Sequence, residues 1–166
     1  MKDNTGVLDK ETLGQLMDGQ LPWKEVHAIQ STFKDPERFD KYVAILQDRV
    51  NWDDTIILPL SPYLYIVKKN GGYPVKCSCG HEFCDYRENW KMDALIFVRN
   101  DEKSLSKIWP GPRTPDPDKN EVREFYCPGC GVQLEVDAVP PGYPVLQNFE
   151  PNIEAFYTEW LGRPAP

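Results

Sequence analysis

The chain has 166 residues, of which 40% are hydrophobic and 12% aromatic, as expected for a folded protein with a core. Its formal net charge of −7 argues against nucleic-acid binding, which needs a basic surface to displace counterions. No window approaches the roughly 18 apolar residues of a membrane span, and Met1-Lys2-Asp3-Asn4 does not open a hydrophobic export region. We therefore expect a cytoplasmic protein that does not enter a membrane.

Three helices are predicted before residue 50. The first covers residues 8–18 and the second begins at Pro22; neither is long enough to be stable alone, so both must dock onto the body or onto a partner. The third begins at Asp35-Pro36, with Asp35 as N-cap, and ends near Arg49. Its apolar face comprises Phe39, Tyr42, Val43 and Leu46.

Strands dominate the middle of the chain. Residues 55–58 and 63–67 are rich in β-branched and aromatic residues, and prolines separate them. Asn70-Gly71-Gly72 predicts a tight hairpin turn that leads into Cys77. The adjacent acids Asp53 and Asp54 are interpreted as capping and solubilising groups, not as catalytic carboxylates.

The second half alternates strands with irregular segments. We predict strands at 92–98, 122–126 and 132–139, a short helix at 101–109, a loop at 110–120 and an extended bridge at 140–144. A final helix begins at Pro151 and carries an apolar stripe of Ile153, Phe156, Tyr157 and Trp160. The stripe fits packing into the core, and it also fits docking into a groove of a partner.

Two short cysteine motifs face each other in the predicted fold. Cys77-Ser78-Cys79-Gly80 is the first, and Cys127-Pro128-Gly129-Cys130-Gly131 is the second. Proline presets φ and the glycines tolerate positive φ, so each motif can form a turn whose backbone amides point at the sulfurs. The spacing predicts one structural Zn²⁺ bound by Cys77, Cys79, Cys127 and Cys130.

Alternatives to this ligand set remain. Cys77 and Cys79 are closer together than in a usual knuckle, so His81 or Cys84 can replace one ligand; otherwise Cys84 is a buried thiol and His81 a surface or supporting group. A disulfide framework is disfavoured, because five cysteines is an odd number and no export signal is present. A redox motif at Cys127 is also disfavoured, since such motifs open helices and a strand pattern follows Gly131.

These elements predict an α+β protein. Its centre is an antiparallel zinc-ribbon-like β core with a long insertion, flanked by N-terminal helices and a C-terminal helix. We predict an N-terminal helical arm at 1–50, a zinc-ribbon-like β domain at 51–139 with an insertion at 85–121, and a C-terminal extended segment with a helix at 140–166.

The residues supply little for catalysis. No Gly-rich phosphate loop or nucleophile elbow is present, and His27 and His81 are the only histidines. Zinc held by four thiolates has no open position for water. The residues alone therefore indicate a scaffold stabilised by metal, either a subunit of a complex or a stand-alone zinc-ribbon adaptor. An independent metalloenzyme with an open zinc position, for example through His81, is a third hypothesis.

Five blocks of sequence, in the same order, resemble the small (gamma) subunit of the acetone carboxylases. They are Phe33–Phe39, Trp52–Leu60, Cys77–Asp85 with Glu88–Lys91, Arg123–Gly131 and Ile153–Leu161. The resemblance runs from about residue 33 to the C-terminus, and residues 1–32 match less distinctly.

The resemblance implies a non-catalytic zinc subunit of an ATP-dependent ketone carboxylase, an enzyme that phosphorylates bicarbonate and the ketone and then joins them. Acetone gives acetoacetate, and in the related acetophenone carboxylases acetophenone gives benzoylacetate. ATP, a divalent metal and the substrate sites then belong to large hydantoinase-like partner subunits. Nothing in this chain distinguishes acetone from acetophenone.

Overall fold

The computed structural model describes residues 6–32 and 34–166. Residues 1–4, which were expected not to begin an export region, lie outside the described residues. Phe33, the first residue of the first resemblance block, lies outside them too. The chain divides into two compact units, Met1–Asn51 and Trp52–Pro166. Among the helices of the described residues, none has the length and apolar character needed to cross a membrane.

The first unit contains helices α1 (Lys10–Met17), α2 (Trp23–Ser31) and α3 (Arg38–Arg49). The Asp9 carboxylate caps α1 by accepting a hydrogen bond of 2.6 Å from the backbone amide of Thr12. Helices α1 and α3 contact each other. The buried side chains of the two helices are Leu13 of α1 and Ile45 and Leu46 of α3. Helix α2 buries none of its side chains.

Helix α3 begins later than predicted. Asp35 and Pro36 form a turn before the helix, in which the amide of Arg38 donates to the carbonyl of Asp35 at 3.1 Å. Asp35 still organises the start, because its carboxylate accepts from the amide of Glu37 at 2.9 Å and from Lys41 Nζ at 2.7 Å. The prediction of Asp35 as N-cap is therefore wrong by two residues, since the cap position is Glu37.

The second unit opens with a four-stranded antiparallel sheet in the order β1-β2-β3-β4. The strands are β1 (Thr55–Ser61), β2 (Leu64–Lys68), β3 (Pro74–Cys77) and β4 (Glu82–Asp85). The first predicted strand was too short, because β1 continues through Pro59, which pairs with Tyr65 between two register shifts. An edge strand accepts proline because half of its amides need no partner in the sheet.

The β2–β3 hairpin forms at the predicted turn. Asn70 and Gly71 have φ values of 50° and 82°, as a two-residue type I′ turn requires. Lys69 and Gly72 close the turn with reciprocal backbone hydrogen bonds of 3.1 and 2.9 Å. This turn sets the register that delivers Cys77 to the end of β3.

A second antiparallel sheet has the order β5-β6-β7. Its strands are β5 (Leu95–Arg99), β6 (Glu121–Tyr126) and β7 (Gln133–Val139). Short helical turns at Trp90–Asp93 and Gly111–Arg113 and helix α4 (Glu102–Leu105) fill the connections. The predicted insertion 85–121 thus contributes β5 to the sheet that carries the second cysteine motif.

Trp90 and Lys91 pack between the strands of this unit. The Trp90 ring lies edge-on to Phe83 of β4 at 5.9 Å and to Phe125 of β6 at 6.2 Å, so it joins the two sheets. Lys91 is fully buried, and its Nζ donates to both oxygens of Asp137 at 2.9 Å and to Asn148 at 2.8 Å. These bonds satisfy the buried ammonium and fasten the segment around Asn148 to β7.

The chain ends in one α-helical turn, α5 (Ile153–Ala155), followed by a π-helical turn, Phe156–Trp160. Ile153 and Tyr157 are buried, but Trp160 is 82% exposed. The core-packing interpretation of the stripe is therefore wrong at Trp160, because the wider π turn rotates that residue away from the face that Ile153 and Tyr157 share. Docking of Trp160 on a partner stays a prediction. The α+β class, the antiparallel β core and the flanking helices are as predicted.

Candidate metal centre

Four cysteine thiols meet between two hairpin turns. Cys77 and Cys79 lie at the β3–β4 turn, and Cys127 and Cys130 lie at the β6–β7 turn. Their four Sγ atoms are all within 4.8 Å of one another. The two motifs that stand far apart in the sequence therefore form a single cluster.

The first turn is closed by backbone hydrogen bonds across the motif. The amide of Cys77 donates to the carbonyl of His81 at 2.8 Å, and the amide of Gly80 donates to the carbonyl of Cys77 at 2.8 Å. Gly80 has a φ of 97°, a region that residues with a Cβ rarely adopt. The amide of Ser78 donates to the carbonyl of Tyr63 at 2.9 Å, which anchors the turn to the first sheet.

Backbone hydrogen bonds across the motif also close the second turn. The amide of Gly131 donates to the carbonyl of Cys127 at 2.8 Å, and the amide of Cys127 donates to the carbonyl of Val132 at 3.0 Å. Gly131 has a φ of 72°. The amide of Gly129 points at the Cys127 sulfur, 3.4 Å away, as expected for an amide that stabilises a thiolate.

The sulfur separations fit a tetrahedral metal. Cys77 Sγ lies 3.9 Å from Cys130 Sγ, and Cys79 Sγ lies 3.7 Å from Cys127 Sγ. A tetrahedral Zn²⁺ with Zn–S bonds of about 2.3 Å places its ligand sulfurs about 3.8 Å apart. All five cysteines are free thiols, so no disulfide competes for these sulfurs.

Burial differs between the two members of each motif. Cys77 and Cys127 are fully buried, whereas Cys79 and Cys130 are exposed. Burial raises the pKa of Cys77 and of Cys127, because the thiolate loses its hydration. Burial acts in the same direction on Cys79, but hydrogen bonds from the His81 backbone and from neighbouring thiols outweigh it and lower the pKa of Cys79.

Neither alternative ligand belongs to the cluster. Cys84 lies on β4 outside the group of four sulfurs, and burial raises the pKa of its thiol to about 11. The His81 ring packs edge-on against Phe83 at 4.9 Å. Among the described residues, histidine, cysteine and acidic side chains lie close enough together to hold a metal in one group. This group consists of the four cysteines.

The two turns approach each other closely at Gly129. A Cβ added at this position would lie 2.9 Å from the Cβ of His81 and 3.4 Å from Cys79 Sγ. Such contacts are too short for a side chain to be accepted without a shift of the turns. Gly129 therefore sets the separation of the two halves of the cluster.

Trp52 and Lys76 form a cap on the first turn that the sequence did not predict. Trp52 Nε1 donates to the carbonyl of Ser78 at 3.1 Å, and the indole lies 3.3 Å from the position that a Cβ on Gly80 would take. Lys76 Nζ sits over the Trp52 ring at 4.6 Å and forms an ion pair with Asp54. The only signal for this cap in the sequence was the position of Trp52 and Asp54 in one of the resemblance blocks.

The centre suits a closed metal site. Four thiolates fill a tetrahedral coordination sphere, so a metal held there has no position for a reacting water. An apolar cavity of about 340 Å³ in the first unit carries no histidine, cysteine or carboxylate in its lining. That lining consists of Leu13, Leu16, Met17, Arg38, Phe39 and Tyr42.

Comparison with known proteins assigns the chain to a family. The family model for the acetone carboxylase gamma subunit matches residues 50–161. The acetone carboxylase gamma subunit of Xanthobacter autotrophicus is 48% identical over 153 residues, which is 91% of this chain and 91% of that relative. The acetophenone carboxylase beta subunit of Aromatoleum aromaticum is 35% identical over 79 residues, which is 46% of this chain and 61% of that relative. The chain belongs to the acetone carboxylase gamma-subunit family.

Proposed function

We propose that the chain is the zinc-binding, non-catalytic small subunit of an ATP-dependent ketone carboxylase, and that it stabilises the assembly of the large catalytic subunits. The cluster of four thiols carries the proposal for zinc, because its sulfur separations match those of tetrahedral Zn²⁺. Family membership carries the proposal for the complex, since the two relatives named above are subunits of an acetone and an acetophenone carboxylase.

In this proposal Cys77, Cys79, Cys127 and Cys130 hold the zinc, and the metal ties the β3–β4 hairpin to the β6–β7 hairpin. The unfolded chain has no assembled site, so the affinity for zinc contributes to the free energy of folding. Zinc supplies a fixed cross-link here. The residues of this chain orient the two hairpins, with Trp52 bound to the first turn and Lys76 over its ring.

The reaction then belongs to the partners. We place ATP, a second divalent metal and the ketone on large hydantoinase-like subunits, with acetone giving acetoacetate or acetophenone giving benzoylacetate. We also assign the protein to the cytoplasm, where reducing conditions preserve the free thiols. We retain an N-terminal arm at 1–50, a zinc-ribbon-like domain at 51–139 and a C-terminal segment at 140–166 as the organisation of this subunit.

The test is to purify the tagged chain gently from its own host and to assay what accompanies it. We expect large subunits in fixed proportion to the chain and ATP-dependent fixation of bicarbonate onto acetone or acetophenone. The active ketone would then identify the substrate. A chain that retains zinc but is recovered alone, without carboxylase activity, would contradict the proposal and favour a stand-alone adaptor.

A further inference from the structure

Strand β5 exposes four consecutive apolar residues. Leu95 is 58% exposed, Phe97 48%, and Ile96 and Val98 39% each. Side chains alternate between the faces of a strand, so β5 presents apolar surface on both faces at once. A run of this kind on a protein surface usually has a binding function.

The outer edge of β5 is open. The strand pairs with β6 on one side, and within residues 6–32 and 34–166 no other strand pairs with it. Its alternate amides and carbonyls on that side therefore face outward in a regular row. Another extended strand matches such a row, because it alone repeats donors and acceptors at the same spacing.

The other described sheet edges carry protection that β5 lacks. Strand β1 contains Pro59 and two register shifts, and β4 is four residues long with an acidic residue at each end. Strand β7 has a register shift and carries Glu135 and Asp137. Proline, charge, short length and bulges are the usual means of blocking edge-to-edge pairing. From Leu95 to Arg99 the register of β5 with β6 is unbroken, with neither proline nor charge before Arg99.

Charge indicates what kind of strand fits. The exposed acids Asp93 and Asp101 bracket β5, and Asp101 keeps its charge while it caps α4 by accepting from the amide of Ser104 at 2.9 Å. Arg99 is engaged with Glu124 at 2.7 Å. A second copy of this chain, with a net charge of −7, would bring the same acids to the contact. A strand with lysine or arginine on its flanks gains favourable charge pairs instead.

We propose that the open edge of β5 pairs with an extended strand of a large carboxylase subunit, and that basic residues flank this strand. This inference rests on the proposed function, which supplies the partner. The pairing continues the β5-β6-β7 sheet into the partner and buries apolar side chains on both faces of β5.

The test compares two lysine substitutions in the purified complex. Leu95→Lys places a charge on the β5 edge, whereas Val136→Lys places the same charge on β7, at a residue 48% exposed. We expect Leu95→Lys to weaken retention of the large subunits by about tenfold or more, because it buries a charge in the contact. We expect Val136→Lys to retain them like the unmodified chain. Zinc content and melting temperature verify that each variant is folded.

A second pair of variants tests the charge argument. Asp93→Lys reverses an acid beside β5, and Asp118→Lys makes the same change of charge in the exposed loop before β6. We expect Asp93→Lys to weaken the complex more than Asp118→Lys, with the difference shrinking as salt screens the charges.

The other possible results of these experiments each contradict a different part of the proposal. If the unmodified chain retains large subunits and folded Leu95→Lys retains them equally well, the β5 contact is wrong and the proposed function stands. If the unmodified chain retains none, the proposed function fails and this partner with it. If it forms a homodimer that Leu95→Lys disrupts, the occupant of the edge is a second copy.

Discussion

At the scale of single residues, the centre combines two buried and two exposed cysteines. Cys77 and Cys127 lie at the ends of β3 and β6, where burial opposes the charge that each thiolate needs for metal binding. A cation between the sulfurs compensates this cost. Without it, two buried thiols from different hairpins have no strong attraction for each other, so we expect the hairpins to depend on the metal.

Replacing a cysteine of the cluster tests this dependence. We expect Cys127→Ser to lose stoichiometric zinc and to destabilise the second unit by several kcal/mol, on the order of a lost structural zinc site. The measurement is zinc per chain together with thermal unfolding.

Cys84→Ser is the matched control. Cys84 lies in the same unit but outside the cluster, so this variant should keep its zinc. Full zinc and native melting in Cys127→Ser, or loss of zinc in Cys84→Ser, would contradict the assignment of the ligands.

The close approach at Gly129 gives a second prediction. Gly129→Ala adds a Cβ that would lie 2.9 Å from the His81 Cβ, so the turns must shift at a cost of about 1–3 kcal/mol. We expect a lower melting temperature and weaker zinc binding.

Gly72→Ala supplies the comparison, since its added Cβ meets its nearest neighbour, the carbonyl oxygen of Lys69, at 3.7 Å. Equal melting temperatures of the two variants would show that the turns accommodate a side chain.

The cysteine motifs could be recognised from the sequence because their spacing and glycines are local features. The choice among Cys79, His81 and Cys84 could not be made in the same way, since residues close along the chain point to different places once β4 has formed. The cap by Trp52 and Lys76 was missed because a contact over 24 positions has no local pattern.

At the scale of elements, errors arose where tertiary contacts override a local pattern. Pro59 was predicted to end a strand, but the strand continues through it because β1 lies at a sheet edge. The last helix was predicted from an α-helical repeat. There Tyr157 donates a buried hydrogen bond of 2.8 Å to the carbonyl of Ile57, and the chain adopts a π turn.

Tyr157 and Trp160 should therefore respond differently to substitution. We expect Tyr157→Phe to cost about 1 kcal/mol or more, because the buried carbonyl of Ile57 loses its donor. We expect Trp160→Ala to change stability by less than about 0.5 kcal/mol, because the side chain is 82% exposed. Denaturant unfolding of both variants measures the difference, and a larger loss in Trp160→Ala would contradict it.

The start of α3 gives a pH prediction for the first unit. The hydrogen bond from Lys41 lowers the pKa of Asp35, and backbone amides of Glu37 and Leu8 also donate to this carboxylate. Because the pKa is lower in the folded state, the ionised carboxylate of Asp35 stabilises the folded state above the usual aspartate pKa near pH 4. This stabilisation is lost as the pH falls through the lowered pKa. We expect the protection factors of amides in α1 and α3, which compare observed with intrinsic exchange at the same pH, to fall in acid.

Asp35→Asn should produce this loss of protection at neutral pH, because the neutral amide no longer forms an ion pair with Lys41. Asp48→Asn serves as control, since its pair with Lys10 is exposed on both sides. Equal exchange in both variants would mean that Asp35 does not stabilise the start of α3.

At the scale of the whole molecule, the fold class was easier to predict than the pairing of the strands. Strand and helix patterns indicated an α+β protein with an antiparallel core. The sequence did not predict that β5 joins β6, because pairing between distant segments depends on which edges remain available after the hairpins form. The open edge of β5 became visible only with that pairing.

Surface features of both units accord with a chain whose relatives are carboxylase subunits. The four thiols would fill the coordination sphere of a bound metal. Helix α2 buries no side chain within its unit, and β5 exposes apolar residues on both faces. These features suit a subunit whose surface is completed by others.

Native mass spectrometry of the gently purified complex, with zinc counted per copy of this chain, tests the central claim most directly. We predict large subunits bound to this chain and one zinc per copy, with both zinc and large subunits lost from chains that carry Cys127→Ser. A complex that assembles fully around zinc-free chains would contradict the claim that this metal centre supports assembly.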